Sequence, residues 1–354
     1  MANRSHRATV IDVAREAGVS KSSAARVLAG RGSASRATQE RVLAAAERLG
    51  YRPNGLARAM ISGTTTTIGV VIPDVANPFF SAVVRGVSDA AHAAGFEVVL
   101  GNTDNDRDIQ SRSIDVLREK QVDGFVIAPV FEEHPESVRA LIDDGIPVAL
   151  VDRRMPALAD VPLVSIDNIA AARGAMDHLL DLGHRRVAIL TEAASRFEAL
   201  LDSDADTQLM RPSDQRLLGY VEALRSRGMD ADPELVVGAA YDSEAASVAL
   251  AQAIGRTEFS ALFCTDSTLT LGAYAHVAAS GMTLPDDLSF VGFDDQDWTT
   301  LVRPSITVVD QPRYRLGAAT ANLLLARIQG VQQTQADMIL EAELVVRGST
   351  AARS

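Results

Sequence analysis

The chain has 354 residues, 47% of them hydrophobic, a net charge of −12 and a single cysteine, Cys264. That length suits two or three domains with sizeable cores, and the composition excludes global disorder. One cysteine excludes an intrachain disulfide framework and a cysteine-based zinc cluster, and the six histidines show no metal-ligand spacing. No apolar run approaches the roughly 18 residues of a membrane span. The opening MANRSHRATV lacks the apolar core of a signal peptide, so a reducing cytoplasm is the expected location. The charge is unevenly placed. Residues 1–62 carry 11 Lys and Arg against 4 Asp and Glu, a net of +7, and the remainder carries −19. A small basic head on a large acidic body directs one end of the molecule toward phosphates.

Residues 9–30, TVIDVAREAGVSKSSAARVLAG, predict two short helices around a tight turn. Thr9 and Asp12 form a capping-box pattern, and Val10, Val13, Ala14 and Ala17 share one helical face. Gly18 stands where the helix stops. Ser20 caps a second helix running to about Ala29 and ending at Gly30. Ala24, Val27 and Leu28 face inward on it, leaving Lys21, Ser22, Ala25 and Arg26 outside. This is the helix-turn-helix arrangement, whose second helix fits the major groove of B-DNA. Arg26 and Lys21 suit guanine edges or phosphates, and Ser22 suits either. A plain helical hairpin with a solvated charged face is the alternative for this stretch taken alone. Ser35 then caps a third helix with Val42, Leu43, Ala46 and Leu49 at helical spacing, ended by Gly50.

YRPNGLARAM follows, with Pro53 suited to a first helical turn and only enough residues to reach about Met60. So short a helix is unstable alone and needs a partner. SGTTTT is a polar link. From Ile68 on, the apolar runs IGVVI, FEVVLGN, DGFVIAP, PVALVD, LVSID, RVAIL, ALFCTD and LSFVGFDD alternate with helix-like stretches. Such alternation predicts parallel sheets covered by helices, and the length allows two. Ligands of open parallel sheets bind beyond the carboxyl ends of strands, where Asp74, Asn102, Asp152, Asp167, Asp266 and Asp294 fall. Neither a GxGxxG nor a GxxxxGK[ST] loop is present, so the usual nucleotide signatures are missing.

Taken in order, TVIDVAREAGVSKSSAARVLAG, ERVLAAAERLGYRPNGLARAM, IGVVIPDVANPFF, VDGFVIAP, IPVALVDRR, LLDLGHRRVAIL, QRLLGYVEAL, TDSTLTLGA, LPDDLSFVGFDD and PSITVVDQP resemble the LacI/GalR family of bacterial transcription regulators over nearly the whole chain. The resemblance implies an all-α helix-turn-helix headpiece over 1–50 and a hinge helix and linker over 51–66. It implies a two-lobed α/β body of two parallel sheets flanked by helices, like periplasmic sugar-binding proteins, over 67–348. The N-lobe would take about 67–164 and 312–338, and the C-lobe about 165–311 and 339–348. The implied protein is a homodimer, favoured over a dimer of dimers because the C-terminus lacks a leucine-heptad tail. It binds a near-palindromic double-stranded operator and is controlled by a small-molecule effector, a sugar above all. No cofactor and no enzymatic activity are expected.

Residue by residue, the resemblance gives DNA contacts at Lys21, Ser22, Ser23 and Arg26, with Ser23 and Ala25 standing where the family has threonine and serine. In the hinge it gives Asn54, Ala57 and Met60. Met60 replaces the leucine that wedges into the central base step. Effector contacts carry over to Phe79, Phe80, Asp152, Arg216, Tyr241, Asp266, Asp294 and Gln311. Carboxylates and arginine hold neighbouring hydroxyls, and an aromatic face covers a sugar ring. The plainer alternatives are core packing for the two phenylalanines, helix capping for Asp294 and Asp295, and a surface ion pair for Arg216. Cys264 is expected to be buried and inert. TEAASRFEALLDSDADTQLMRPSD, longer than the family's loop at that place, is expected to be a solvated acidic excursion, the alternative being a lid over the cleft. Three other readings stay open: a corepressor-dependent regulator of the purine or nucleoside type, a sugar-binding protein without a DNA role, and a glycoside-processing enzyme using Asp152 and Asp294 as acid and base.

Overall fold

The computed structural model describes residues 8–28, 34–51, 64–130, 134–201, 207, 210–331 and 337–353. The stop expected at Gly30 and the hinge residues Asn54, Ala57 and Met60 lie outside them. The chain divides into two units, Met1–Thr67 and Ile68–Ser354.

The first unit contains α1 (Val10–Ala17), α2 (Lys21–Leu28) and α3 (Arg36–Arg48). The capping box forms as the sequence predicts. The Thr9 backbone N–H donates to the Asp12 carboxylate at 3.0 Å, and the Thr9 hydroxyl accepts from the Asp12 N–H at 3.4 Å. Gly18 turns left-handed at φ 65°, which a side chain resists. Ser20 and Ser35 accept from the backbone N–H groups of Ser23 and Thr38. Val13, Ala14, Ala17, Ala24, Val42, Ala45 and Ala46 form the core, with Val27 and Leu28 packed at its edge. Of the four apolar residues at helical spacing in the third helix, two stay out of the core. Leu43 is 56% exposed and Leu49 38% exposed, and Ala45 fills the inward position. Leu43 is rotated about 100° from Val42 on a helix, and Leu49 is already the C-cap.

The second unit holds two six-stranded sheets. The first uses β1 (Thr67–Ile72), β2 (Glu97–Asn102), β3 (Gly124–Ile127), β4 (Val148–Val151), β5 (Leu163–Ile166) and β11 (Met338–Leu340), in the order β11-β5-β4-β3-β1-β2. The second uses β6 (Val187–Thr191), β7 (Val236–Gly238), β8 (Ala261–Cys264), β9 (Ser289–Phe293), β10 (Thr307–Asp310) and β12 (Glu343–Val345), in the order β12-β10-β9-β8-β6-β7. The two orders match strand for strand. The resolved ladders are parallel except β10 with β12, which is antiparallel. All eight apolar runs became strands, while β10 and the three-residue β7, β11 and β12 were not among them, the last three because three residues carry no readable period.

The lobe boundaries move slightly from those expected. β5 belongs to the first sheet through Ile166, and β11 joins it through Leu340, so the crossings fall after 166 and 340 rather than after 164 and 338. The body also continues past 348. The Phe290 N–H donates to the Ser349 carbonyl, and the Arg353 N–H to that of Leu182.

Helices cover both sheets. In the first lobe α4 (Pro78–Ala93) lies against α13 (Arg313–Ile328), so closely that a Cβ on Gly86 or Gly317 would overlap the backbone of the other helix. The part of the segment after β6 that lies among the described residues is no solvated excursion. Residues 197–201 form a helical turn, α8, whose Phe197 and Leu200 are buried in the main core. Burying two large apolar side chains offsets the entropy of ordering so short a turn.

Candidate functional site

In the head, α2 presents Lys21, Ser22 and Arg26 to solvent, while Ser23 is half-buried and its hydroxyl bonds to that of Ser20 at 2.8 Å. The Arg26 Nε donates to the Ser22 carbonyl at 3.3 Å, which holds the guanidinium along the helix. Lys21, Ser22 and Arg26 form a basic, small-residue face of the kind a major groove admits.

In the body, all eight effector residues carried over from the resemblance line one cavity of about 350 Å³. Its walls come from the carboxyl ends of strands of both sheets. Asp152 follows β4, Asp266 lies just past β8, Asp294 follows β9 and Gln311 follows β10. Phe79 and Phe80 open α4 behind Pro78, capped by Asn77, whose side chain accepts from the Phe79 N–H at 2.8 Å. Their rings meet edge to face at 5.0 Å. Both are core residues, as the packing reading expects, and both also border the cavity.

Arg216, on α9 (Pro212–Ser226), is 7% exposed and makes no surface ion pair among the described residues. Its Nη1 donates to the Thr265 carbonyl at 2.7 Å and its Nε to Asn168 Oδ1 at 2.8 Å, and the guanidinium stacks 3.9 Å over the Phe293 ring. Asp294 accepts from Gln311 Nε2 at 2.8 Å, whereas Gln311 Oε1 is buried with no partner among the described residues. An unpaired buried carbonyl oxygen beside a cavity is a place for a ligand hydroxyl. Asp266 caps α11 (Ser267–Ser280) through the N–H groups of Thr268 and Leu269 and faces the cavity as well.

Burial dominates the electrostatics. It pushes the Asp266 carboxyl up to about 7, aided by the charges of Glu192 and Asp294 and opposed by the N–H of Leu269 and by Arg216. Burial also raises Asp152, which Arg153 and Arg216 pull back down, and raises Asp294 against the same pull from Arg216 and Arg313. Asp152 and Asp294 both sit at positive φ, 70° and 67°.

Tyr241 is at the cavity but is 41% exposed, and its hydroxyl accepts from Asn77 Nδ2 at 2.6 Å, a hydrogen bond between the two lobes. Asp295 holds Arg347 through two oxygens and accepts from the Thr299 hydroxyl, so it organises the wall from behind. Asn102 and Asp167 support the local backbone, through the N–H groups of Val75 and Ala170. Sequence reasoning missed Asn77, Asn105, Arg153, Glu192, Arg211 and Ser213 in the lining. Asn77 and Arg153 lie beside residues already singled out. Glu192 directly follows β6, Arg211 directly precedes α9 and Ser213 lies in its first turn, and no local sequence signal places them at the cavity. Cys264 is fully buried. Among the described residues no His, Cys, Asp and Glu group fits a metal ion, and no helix is long and apolar enough to cross a membrane.

Two family models match the chain. One describes bacterial regulatory proteins of the lacI family and matches residues 9–54. The other describes periplasmic binding proteins and the sugar-binding domain of the LacI family and matches residues 65–346. The chain is 33% identical over 349 residues to the HTH-type transcriptional repressor CytR of Escherichia coli K12, covering 98% of this chain and 97% of that one. Among solved structures, a complex of the transcriptional regulator CelR with cellobiose matches at 30% identity and a TM-score of 0.70, over 97% of this chain and all of that one. A LacI family regulator from Enterococcus faecium with bound ribose matches at 26% identity and the same TM-score, over 81% of this chain and 100% of that one.

Proposed function

This chain belongs to the lacI family of bacterial regulatory proteins, and from that premise we propose that a sugar bound between its two lobes controls its affinity for operator DNA. The chain is a DNA-binding transcriptional regulator, not an enzyme. One observation carries the sugar reading: Asp152, Asp266, Asp294, Arg216 and Gln311 converge from both lobes on one cavity with aromatic walls. Carboxylates accept from vicinal hydroxyls, Arg216 donates to them, and Phe79, Phe80 and Tyr241 supply apolar surface. The cellobiose and ribose complexes of similar chains support this class.

The regulator acts as a homodimer on a near-palindromic site, in the cytoplasm where that DNA is. Lys21, Ser22, Ser23 and Arg26 meet the major groove. Asn54, Ala57 and Met60 of the hinge segment meet the minor groove. The sugar works only through its different affinity for the two lobe arrangements.

The test is a thermal-shift screen with cellobiose, D-ribose, other mono- and disaccharides, sugar phosphates, nucleosides and purines, followed by operator binding with and without each hit. A sugar at about 100 times its Kd adds roughly 2.7 kcal/mol of stability and shifts operator affinity. Stabilisation by nucleosides or purines alone would replace the sugar by a base-bearing effector.

A further inference from the structure

Arg216 is held from behind by an amide chain that no cavity contact requires. Asn168, the first residue of α7 (Asn168–Asp181), is 2% exposed. Its Oδ1 accepts from Arg216 Nε at 2.8 Å, and its Nδ2 donates to Gln215 Oε1 at 2.9 Å. Gln215 Nε2 in turn donates to the Thr207 carbonyl at 2.6 Å. The chain therefore runs from the effector cavity, through the first crossing between the lobes, to the Thr207 carbonyl. Each amide uses one acceptor and one donor, so the direction of every bond is set by the next.

The amides also border open space. Asn168, Gln215 and Thr207 line a second cavity of about 440 Å³ together with Ser165, Arg154 and Met210. With open space beside them, hydrogen bonds help to fix the two amides. On the cavity side Arg216 must keep its remaining donors aimed with little freedom, because a misplaced guanidinium beside Asp152, Asp266 and Asp294 loses its bidentate geometry.

We propose that Asn168 and Gln215 are positioning residues that aim Arg216 into the effector cavity, with the Thr207 carbonyl as the outer anchor of the chain. The proposal rests on the reading of Arg216 as an effector contact, so its primary test uses no sugar. In the full-length protein, the Arg216 Nε–H resonance is assigned with Arg216→Lys, and its exchange with water is measured. Asn168→Ala speeds that exchange by about tenfold, the worth of one buried hydrogen bond. Asn168→Asp keeps the acceptor and restores slow exchange, which a variant that merely folds poorly does not do. Gln215→Glu keeps the acceptor for Asn168 but turns the donor facing the Thr207 carbonyl into an acceptor. It therefore speeds exchange by a smaller factor.

Unchanged exchange in Asn168→Ala would overturn the proposal, leaving Arg216 held by Thr265 and Phe293 alone. A change in Asn168→Ala with none in Gln215→Glu would overturn its second half, the link to Thr207. Calorimetry with cellobiose and D-ribose then separates the two readings. If either sugar binds the parent and Arg216→Lys equally well, the contact role of Arg216 is wrong whatever the spectra show. If the contact role holds, the two Asn168 variants rank in affinity as they rank in exchange.

Discussion

Asp152 and Asp294 occupy the same place in the two lobes, each just past the fourth strand of its sheet. Each donates its backbone N–H to the neighbouring strand, to Val164 at 2.9 Å and to Val309 at 2.8 Å. Both take a left-handed backbone that costs a non-glycine residue about 1 kcal/mol or more, and both bury a carboxyl. Replacing Asp152 by Asn, which tolerates that backbone and carries no charge, raises the thermal midpoint of the sugar-free protein and weakens sugar binding. Paired melts and calorimetry measure both.

Asp266 gives a pH dependence of definite sign. Its carboxyl titrates near 7 in the folded chain against an ordinary 3.8, so the folded state holds the extra proton between those values. The stability this group contributes is full below about pH 4 and is lost as pH rises through 7. Asn also caps a helix. Asp266→Asn therefore gains on the parent between pH 4 and pH 8 by something on the order of 4 kcal/mol, read from urea midpoints at the two ends. At this scale Asp152, Asp266 and Asp294 were legible because apolar strand runs end on them. Asn77 and Arg211 were not, since nothing local in the sequence says which loop faces a cavity formed by strands far apart in the chain.

Among the elements, those with their own punctuation were readable. Thr9, Gly18, Ser20 and Ser35 mark helix ends with side-chain oxygens or a left-handed turn, and each does so in the structure. The α8 turn was misread because a five-residue helix among acidic residues looks solvated, and only the core shows where Phe197 points. If Phe197 and Leu200 are core, Phe197→Ala costs about 3 to 5 kcal/mol of unfolding free energy, whereas a solvated loop would lose at most a few tenths. Denaturant titration of the full chain distinguishes these. Gly86→Ala belongs to the same scale. It pushes α4 from α13 and lowers the midpoint, although alanine is the better helix former.

Over the whole molecule the sequence carried the architecture well, since strand–helix alternation leaves few folds open. The edge strands β11 and β12 are three residues each, too short to announce themselves in the sequence. The charge asymmetry makes a prediction of its own. Operator affinity falls linearly on a logarithmic salt scale, and Lys21→Ala shallows that slope by about 1. Arg26→Ala instead costs about 1–3 kcal/mol on the preferred site and relaxes its sequence preference. A titration across salt and operator variants separates the two residues.

The interleaving of the two lobes also sets a timetable for synthesis. The ribosome releases the unit Met1–Thr67 ahead of the body. When translation reaches Asp310, the first five strands of each sheet have been made, yet neither sheet has its last edge, and α4 waits uncovered for α13. The nascent chain thus carries its three-helix head while the body is still open, and the final forty or so residues seal both lobes together.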